Sequence, residues 1–279
     1  MRPEVGLTRT VIVVPCFDEE KRLPVEEFRH FLGSEPSTVF VLVNDGSRDI
    51  TLQVLESLKA VAPDRVQVVD LPRNCGKAET VRRGVLAALD VEPDFVGYWD
   101  ADLATPLDEI PSFCELLEER PGVLLVMGAR VRLLGRAIER SALRHYTGRI
   151  CATAISVTLD LPVYDTQCGA KMFRVTPETR ALFAEPFLSR WAFDVELIAR
   201  LVFRRGASDA RVADAIYEFP LREWRNAVGS KVRPRDYLRS AVDLFRIWRR
   251  YLRGRGSSGR GRSRGPPRRL SWRPTEPRN

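Results

Sequence analysis

The 279-residue sequence has no stretch approaching the roughly 20 apolar residues that a membrane-spanning helix requires. Met1 to Arg9 carries charges but no apolar h-region, so no signal peptide is read there. Histidine is almost missing, with two residues, and none of the five cysteines forms a C-x-x-C pair or a zinc spacing with His30 or His145. Cys16, Cys75, Cys114, Cys151 and Cys168 therefore read as reduced thiols of a cytosolic protein. There is no G-x-x-x-x-G-K-S/T loop, so a P-loop ATPase is not supported. No G-x-G-x-x-G follows the first strand, which argues against a dinucleotide-dependent dehydrogenase. A basic fold is lacking too: nine arginines against one glutamate from Arg253 onward account for the whole net charge of +8, and residues 1–252 hold 36 charges of each sign.

What is present is an alternation of short apolar runs with helical periodicity. Thr10–Val14, Thr38–Val43, Val66–Asp70, Phe95–Trp99 and Val123–Ala129 read as buried strands. Between them Glu20–Leu32, Asp49–Val61, Lys77–Asp90 and Leu107–Glu119 read as helices, with Ser47 or Asp49 capping the second. Helices over Glu139–Val157, Trp191–Phe203 and Arg235–Leu252 and a strand over Val212–Glu218 follow. This pattern predicts an α/β protein, Rossmann-like, its mostly parallel sheet covered by helices on both faces. The expected divisions are an extension over 1–9, a catalytic domain over 10–234, a basic amphipathic helix over 235–252 and a disordered tail over 253–279. In such sheets ligands bind at the carboxyl ends of the strands.

Those ends are acidic. The first strand runs into Pro15-Cys16-Phe17-Asp18-Glu19-Glu20, the second into Asn44-Asp45-Gly46-Ser47, the fourth into Asp100-Ala101-Asp102. Any one of these acids is as well explained by capping the next helix; three on one edge point to a ligand. Asp100 and Asp102 together suit a hard cation, Mg²⁺ or Mn²⁺, which takes one or two carboxylates and completes its shell with phosphate oxygens and water. That chemistry fits a departing nucleoside diphosphate. Arg73-Asn74-Cys75-Gly76-Lys77 opens a helix after the third strand, where backbone N–H groups and Lys77 favour an anion, unless the loop is a plain turn with Gly76 chosen for its backbone.

These segments resemble the P-x-Y-N-E-E, D-D-G-S and D-x-D motifs of family 2 glycosyltransferases. Asn74–Lys77, Gly128-Ala129-Arg130, Asp165-Thr166-Gln167-Cys168-Gly169-Ala170-Lys171, Arg190-Trp191-Ala192-Phe193-Asp194-Val195-Glu196-Leu197 and Gly229-Ser230-Lys231 narrow the resemblance. They are similar to the dolichyl-phosphate β-glucosyltransferases, with the dolichyl-phosphate mannose synthases as cousins, from about Thr10 to Leu252. The resemblance implies a GT-A fold, an inverting mechanism, a nucleotide-sugar donor (UDP-glucose, or GDP-mannose) and a divalent metal. It places Pro15, Phe17, Glu19 and Asp45 on the nucleoside, and Asp100 and Asp102 on the ribose, metal and diphosphate. Phe17, Asp18 and Asn44 depart from the Tyr, Asn and Asp of the family motifs.

The acceptor implied is a polyprenyl phosphate. A sugar hydroxyl acceptor needs a general base, whereas a phosphate monoester is already largely ionised near neutral pH, its second pKa being about 6. Arg130, Arg140, Arg144 and Lys171 are the candidates to bind it, with a solvated basic face as the alternative for the Arg140/Arg144 pair. Asp165 is read as a base or as orienting Lys171, and Asp194 and Glu196 as holding Arg190 and Trp191. The last helix places Tyr237 or Leu238, Ala241, Val242, Phe245, Trp248 and Leu252 on one stripe and its arginines mostly elsewhere; it lies on a membrane surface, packs on the domain or meets a second subunit. The expected location is cytoplasmic, peripheral on the inner face of a membrane. Two other readings are a transferase acting on a soluble hydroxyl and an RNA-binding protein using the Arg-rich tail, although no specific nucleic-acid partner is expected of a neutral folded part.

Overall fold

The computed structural model describes residues 8–131, 133–138, 142–206, 212–225 and 234–253, with the backbone alone at 142–150 and 234–240. Its centre is β1 (Thr10–Cys16), a T-V-I-V-V-P-C run buried on both sides. Alternate residues serve different layers. Val11 and Val13 join one core with Val41, Val43, Val81 and Val85, while Ile12 and Val14 join the other with Phe28, Phe40 and Leu42. That double burial is what a continuous β-branched run encodes in a parallel sheet.

β1 pairs in parallel with β2 (Thr38–Asn44), and β2 with β3 (Val66–Asp70). Helices α1 (Val25–Ser34), α2 (Thr51–Val61) and α3 (Lys77–Leu89) make the crossovers, with α1 and α2 on one face and α3 on the other. β4 (Phe95–Tyr98) flanks β1 on its other side, also parallel, and α4 (Ile110–Glu119) follows after a short 3₁₀ turn. The chain then runs through β5 (Leu125–Ala129), β6 (Ala137–Ile138), α5 (Ala142–Leu159), β7 (Lys171–Arg174), α6 (Pro177–Ala184), α7 (Phe193–Arg205), β8 (Ile216–Pro220) and β9 (Glu223–Trp224). The main sheet has the order β3-β2-β1-β4-β7-β5-β8, and β6 and β9 form a separate parallel ribbon.

β7 is the exception in direction, antiparallel to both β4 and β5. Sequence periodicity does not reveal it, because its four residues are Lys-Met-Phe-Arg, with a charge at each end. Its insertion carries the D-T-Q-C-G segment to the carboxyl end of β4.

The last helix, α8 (Pro234–Ile247), continues through a π turn to Leu252. Ile247 and Leu252 are buried in the core that contains α7. Ala241, Val242, Phe245 and Trp248 of the expected stripe are exposed instead. The helix is thus apolar on two sides, one packed on the domain and one facing out. Arg140, the Gly229–Lys231 motif and the tail from residue 254 lie outside the described residues, as does the side chain of Arg144.

Candidate active site

The loops that end β1, β2 and β3 are stitched together by side chains that sequence order keeps apart. After β1 the backbone takes a left-handed turn at Asp18 (φ 51°), a conformation that aspartate tolerates better than most residues. The Asp18 N–H donates to Ser47 Oγ (3.1 Å), and the Glu19 N–H to Thr51 Oγ1 (2.9 Å). Asn44 donates its amide to Asp70 Oδ1 (2.7 Å) and accepts from the Ser47 N–H (3.2 Å). An aspartate at position 44 would face Asp70 as a like charge, whereas the Asn44 amide donates to it.

Asp45 is buried, and its carboxylate accepts the N–H groups of Cys75 (2.6 Å) and Gly76 (2.9 Å). Those two amides, expected from the sequence to face an anionic ligand, are therefore occupied by a carboxylate of the chain itself. Gly76 has φ +88°, and a Cβ there would lie 2.5 Å from Nε of Arg190, so only glycine fits.

Lys77, the next residue, pairs with Asp100 Oδ1; both side chains are about one-third exposed. Burial opposes charging of Lys77, but Asp100 and then Asp194 outweigh it and raise the ammonium above its ordinary value. Burial would likewise raise Asp100, but Lys77, then Lys171 and Arg130, hold its carboxyl below the usual range. Asp102 is pushed up, first by burial and then by the Asp100 charge, although Oδ2 meets Arg22 Nη2 at 3.2 Å and Oδ1 accepts the Ala104 N–H. Arg22, which also reaches Glu19 (3.4 Å), escaped the sequence reading. Its only signal is its place three residues beyond Glu19 in the loop after β1.

The D-T-Q-C-G segment lies directly against these acids. A Cβ on Gly169 would overlap the Asp100 carboxylate. Asp165 grips Arg130 through Nε and Nη2 (2.7 Å each) and accepts the Arg130 N–H (3.1 Å). Burial opposes the Arg130 charge, but Asp165 raises the guanidinium well above its ordinary value. Glu218 on β8 anchors the same loop by accepting the N–H groups of Tyr164 (2.8 Å) and Asp165 (2.7 Å).

Lys171 does not face this cleft. It is 0% exposed, its ammonium 2.6 Å from Asp194 Oδ1 and donating to the Cys168 carbonyl (2.6 Å). Tyr98 donates its hydroxyl to the same Asp194 oxygen (2.6 Å). The expectations that Lys171 meets an acceptor phosphate and that Asp165 orients it are thus corrected: β7 turns Lys171 into the core, where Asp194 is its counter-ion. Glu196 has a structural role as well, but on Arg200 (2.8 Å) and on the N–H groups of Leu188 and Ser189 rather than on Arg190 or Trp191.

The site thus combines two adjacent carboxylates, a lysine and an arginine that partner them, and a second arginine–carboxylate pair beside a glycine-tight loop. A profile of the family described as Glycosyl transferase family 2 matches residues 11–179, more than half of the chain. The chain belongs to glycosyl transferase family 2. A dolichyl-phosphate beta-glucosyltransferase of Drosophila melanogaster is 32% identical over 262 residues, covering 87% of this chain and 75% of the relative. One from Trichomonas vaginalis is 31% identical, covering 85% and 72%. Among solved structures, glucosyl-3-phosphoglycerate synthase from Mycobacterium tuberculosis with Mn²⁺, UDP-glucose and phosphoglyceric acid matches with a TM-score of 0.60 at 19% identity, over 86% of this chain and 80% of that one. The mannosyltransferase PcManGT from Pyrobaculum calidifontis with GDP-Man and Mn²⁺ gives 0.56 at 18% identity, over 89% and 65%. The GT-A fold expected of a family 2 glycosyltransferase is the one found.

Asp100 and Asp102 fit a divalent ion by their chemistry: two hard oxygen donors at the end of β4, of which Asp102 is raised first by burial and then by the Asp100 charge, a repulsion that a cation offsets. Among the described residues no group of three or more His, Cys, Asp or Glu side chains could hold a metal. A carboxylate pair suits Mg²⁺ or Mn²⁺ that shares its shell with phosphate oxygens and water.

Proposed function

We propose that this family 2 glycosyltransferase moves glucose from UDP-glucose to a polyprenyl phosphate, with inversion at the anomeric carbon. The observation that carries the reading is the seating of Gly169 on Asp100, which sets the Arg130–Asp165 pair beside the carboxylates at the end of β4. The names of the relatives, dolichyl-phosphate beta-glucosyltransferases across most of the chain, support the donor sugar and the acceptor. Pro15, Phe17 and Glu19 line the nucleoside side, and Asp45 acts there by fixing the Asn74–Gly76 loop. Asp100 and Asp102 would hold a divalent metal, which would supply compensation for the charge of the departing diphosphate. Lys77, beside Asp100, orients the phosphates.

In the transfer an oxygen of the acceptor phosphate forms the new bond to the anomeric carbon. The bond to the diphosphate breaks, and its electron pair leaves with the nucleotide. An ionised phosphate brings no proton to remove. Asp165 suits that chemistry: with both oxygens on Arg130 it is a poor base and a good positioner, holding a guanidinium for the acceptor. A soluble hydroxyl acceptor would need a free base, and Asp165 is not one.

Attachment to the cytoplasmic face of a membrane completes the proposal. No described helix is long and apolar enough to cross a membrane. Val242, Phe245 and Trp248 are nevertheless 50%, 58% and 38% exposed on α8, with Arg246, Arg249 and Arg250 nearby. Because Ile247 and Leu252 belong to the core, point changes test this better than truncation. Phe245→Ser with Trp248→Ser should abolish flotation with anionic vesicles while leaving the melting temperature near that of the parent; unchanged flotation would refute attachment through α8.

The transfer is tested with radiolabelled UDP-glucose, Mn²⁺ and a polyprenyl phosphate, following label into organic solvent. Metal-dependent label that disappears in Asp102→Ala is the expected result. Nucleotide binding without organic-phase label would overturn the lipid acceptor, and transfer from GDP-mannose alone would overturn the donor.

A further inference from the structure

Arg190 heads the R-W-A-F-D-V-E-L segment, and its side chain reaches the loop that opens α3. Its guanidinium rests on Gly76 and donates from Nη2 to Asn74 Oδ1 (3.1 Å). The side chain is exposed, and among the described residues it has no carboxylate partner. It contrasts in this with Arg22, Lys77 and Arg130, each of which is matched to an acid. An arginine whose only hydrogen-bond partner among the described residues is a neutral amide keeps donors for a further anion, and its planar fork suits phosphate oxygens.

The backbone that presents Arg190 is held firmly. Ser189 is 1% exposed; its Oγ accepts the N–H groups of Trp191 (3.2 Å) and Ala192 (2.7 Å) and donates to Asp243 Oδ2 on α8 (2.7 Å). Glu196 Oε2 accepts the N–H groups of Leu188 (2.8 Å) and Ser189 (3.4 Å). A buried hydroxyl with three partners on one side and a buried carboxylate on the other fix the segment on both flanks of Arg190. One of those supports comes from the last helix of the chain.

We infer that Arg190 binds the diphosphate of the donor nucleotide, and that the Ser189–Asp243 hydrogen bond makes α8 a positioning element for it. This rests on the donor site proposed above. The Cys75 and Gly76 amides are taken by Asp45, so the diphosphate cannot rely on them for its charge. Lys77 is shared with Asp100. Arg190 adds a cation that no described acid takes up beside Lys77 on this loop, and Asn74 sets its angle.

Calorimetric titration of the full chain with UDP and with UMP, both with Mn²⁺, separates a phosphate contact from a structural one. Arg190→Ala should weaken UDP by about tenfold, the scale of one charge-assisted arginine–phosphate contact, and UMP much less. Asp243→Ala should reduce the UDP-over-UMP preference in the same direction, and Asp243→Asn, which still accepts from Ser189, should retain it. Equal losses for UDP and UMP in Arg190→Ala, or no loss, would overturn the role of Arg190. An Asp243→Ala protein with the parental preference would overturn the link to α8. If the parent chain bound neither nucleotide, the donor-site reading would fall first and this inference with it.

Discussion

Two lysine–aspartate pairs sit either side of the junction between β4 and β7, and they have opposite surroundings. Lys77 and Asp100 are each about one-third exposed at the mouth of the sheet. Lys171 and Asp194 are 0% and 8% exposed behind it, joined by Tyr98 and the Cys168 carbonyl. The first pair faces solvent and can share its charges with a phosphate or a metal. The second is a closed network whose members have all been taken up. The same residue types thus serve a ligand in one region and the frame in the other, and exposure decides which.

The largest expected effect tests that contrast. Lys171→Met leaves Asp194 buried without its cation, and breaking such a pair costs about 3–5 kcal/mol. Lys77→Met removes a partly exposed partner, where an ion pair contributes about 0–1 kcal/mol. Denaturant titration should therefore separate the two variants clearly, with Lys77→Met near the parent in stability but weaker in donor binding. Equal destabilisation of the two would erase the distinction.

A smaller effect on stability, but a sharp one on activity, is expected where the two regions touch. Gly169 belongs to the segment that the buried lysine anchors through Cys168, and it lies against the partly exposed Asp100. Gly169→Ala must displace that carboxylate, and a misplacement of about 1 Å in a positioned group can lower the rate by about 100-fold. Transfer assays should show that loss with the melting temperature lowered only moderately. Activity within about threefold of the parent would mean that Asp100 has room to move, against the tight approach seen here and below what such a displacement implies.

The same boundary separates what the sequence discloses from what it hides. On the β1–β4 side, strands are consecutive, parallel and apolar on both faces, so their carboxyl ends lie on one edge by rule. Asp45, Asp100 and Asp102 could be placed there from periodicity alone. The other side depends on the antiparallel β7, too short and too charged to announce itself. Lys171 accordingly looked like a phosphate ligand and is a core residue. Gly169 against Asp100, Arg190 over Gly76 and Arg22 on Asp102 are contacts across 69 to 114 residues of chain, counted from the residue numbers. No local pattern encodes them. Asn44 shows the converse: a motif departure in the sequence becomes intelligible once Asp70 is seen opposite it.

The mildest perturbation is chemical and uses the cysteines as reporters of the two regions. Cys16 and Cys168 are buried, and burial pushes both thiols up, helped at Cys16 by the Glu19 charge. Burial also raises Cys114, to about 11. At neutral pH these three hold almost no thiolate, which is the reactive form. Cys75 is partly exposed within the Asn74–Gly76 loop, and Cys151 is exposed on α5, away from that loop in sequence. Iodoacetamide at neutral pH should therefore label Cys75 and Cys151 and leave the other three until the protein unfolds. UDP with Mn²⁺ should slow labelling of Cys75 alone, with Cys151 as the internal control, as read by peptide mass spectrometry. Slowing at both sites would indicate general tightening rather than a nucleotide on the loop. No slowing at Cys75 would move the nucleotide away from the loop that Asp45, Lys77 and Arg190 surround.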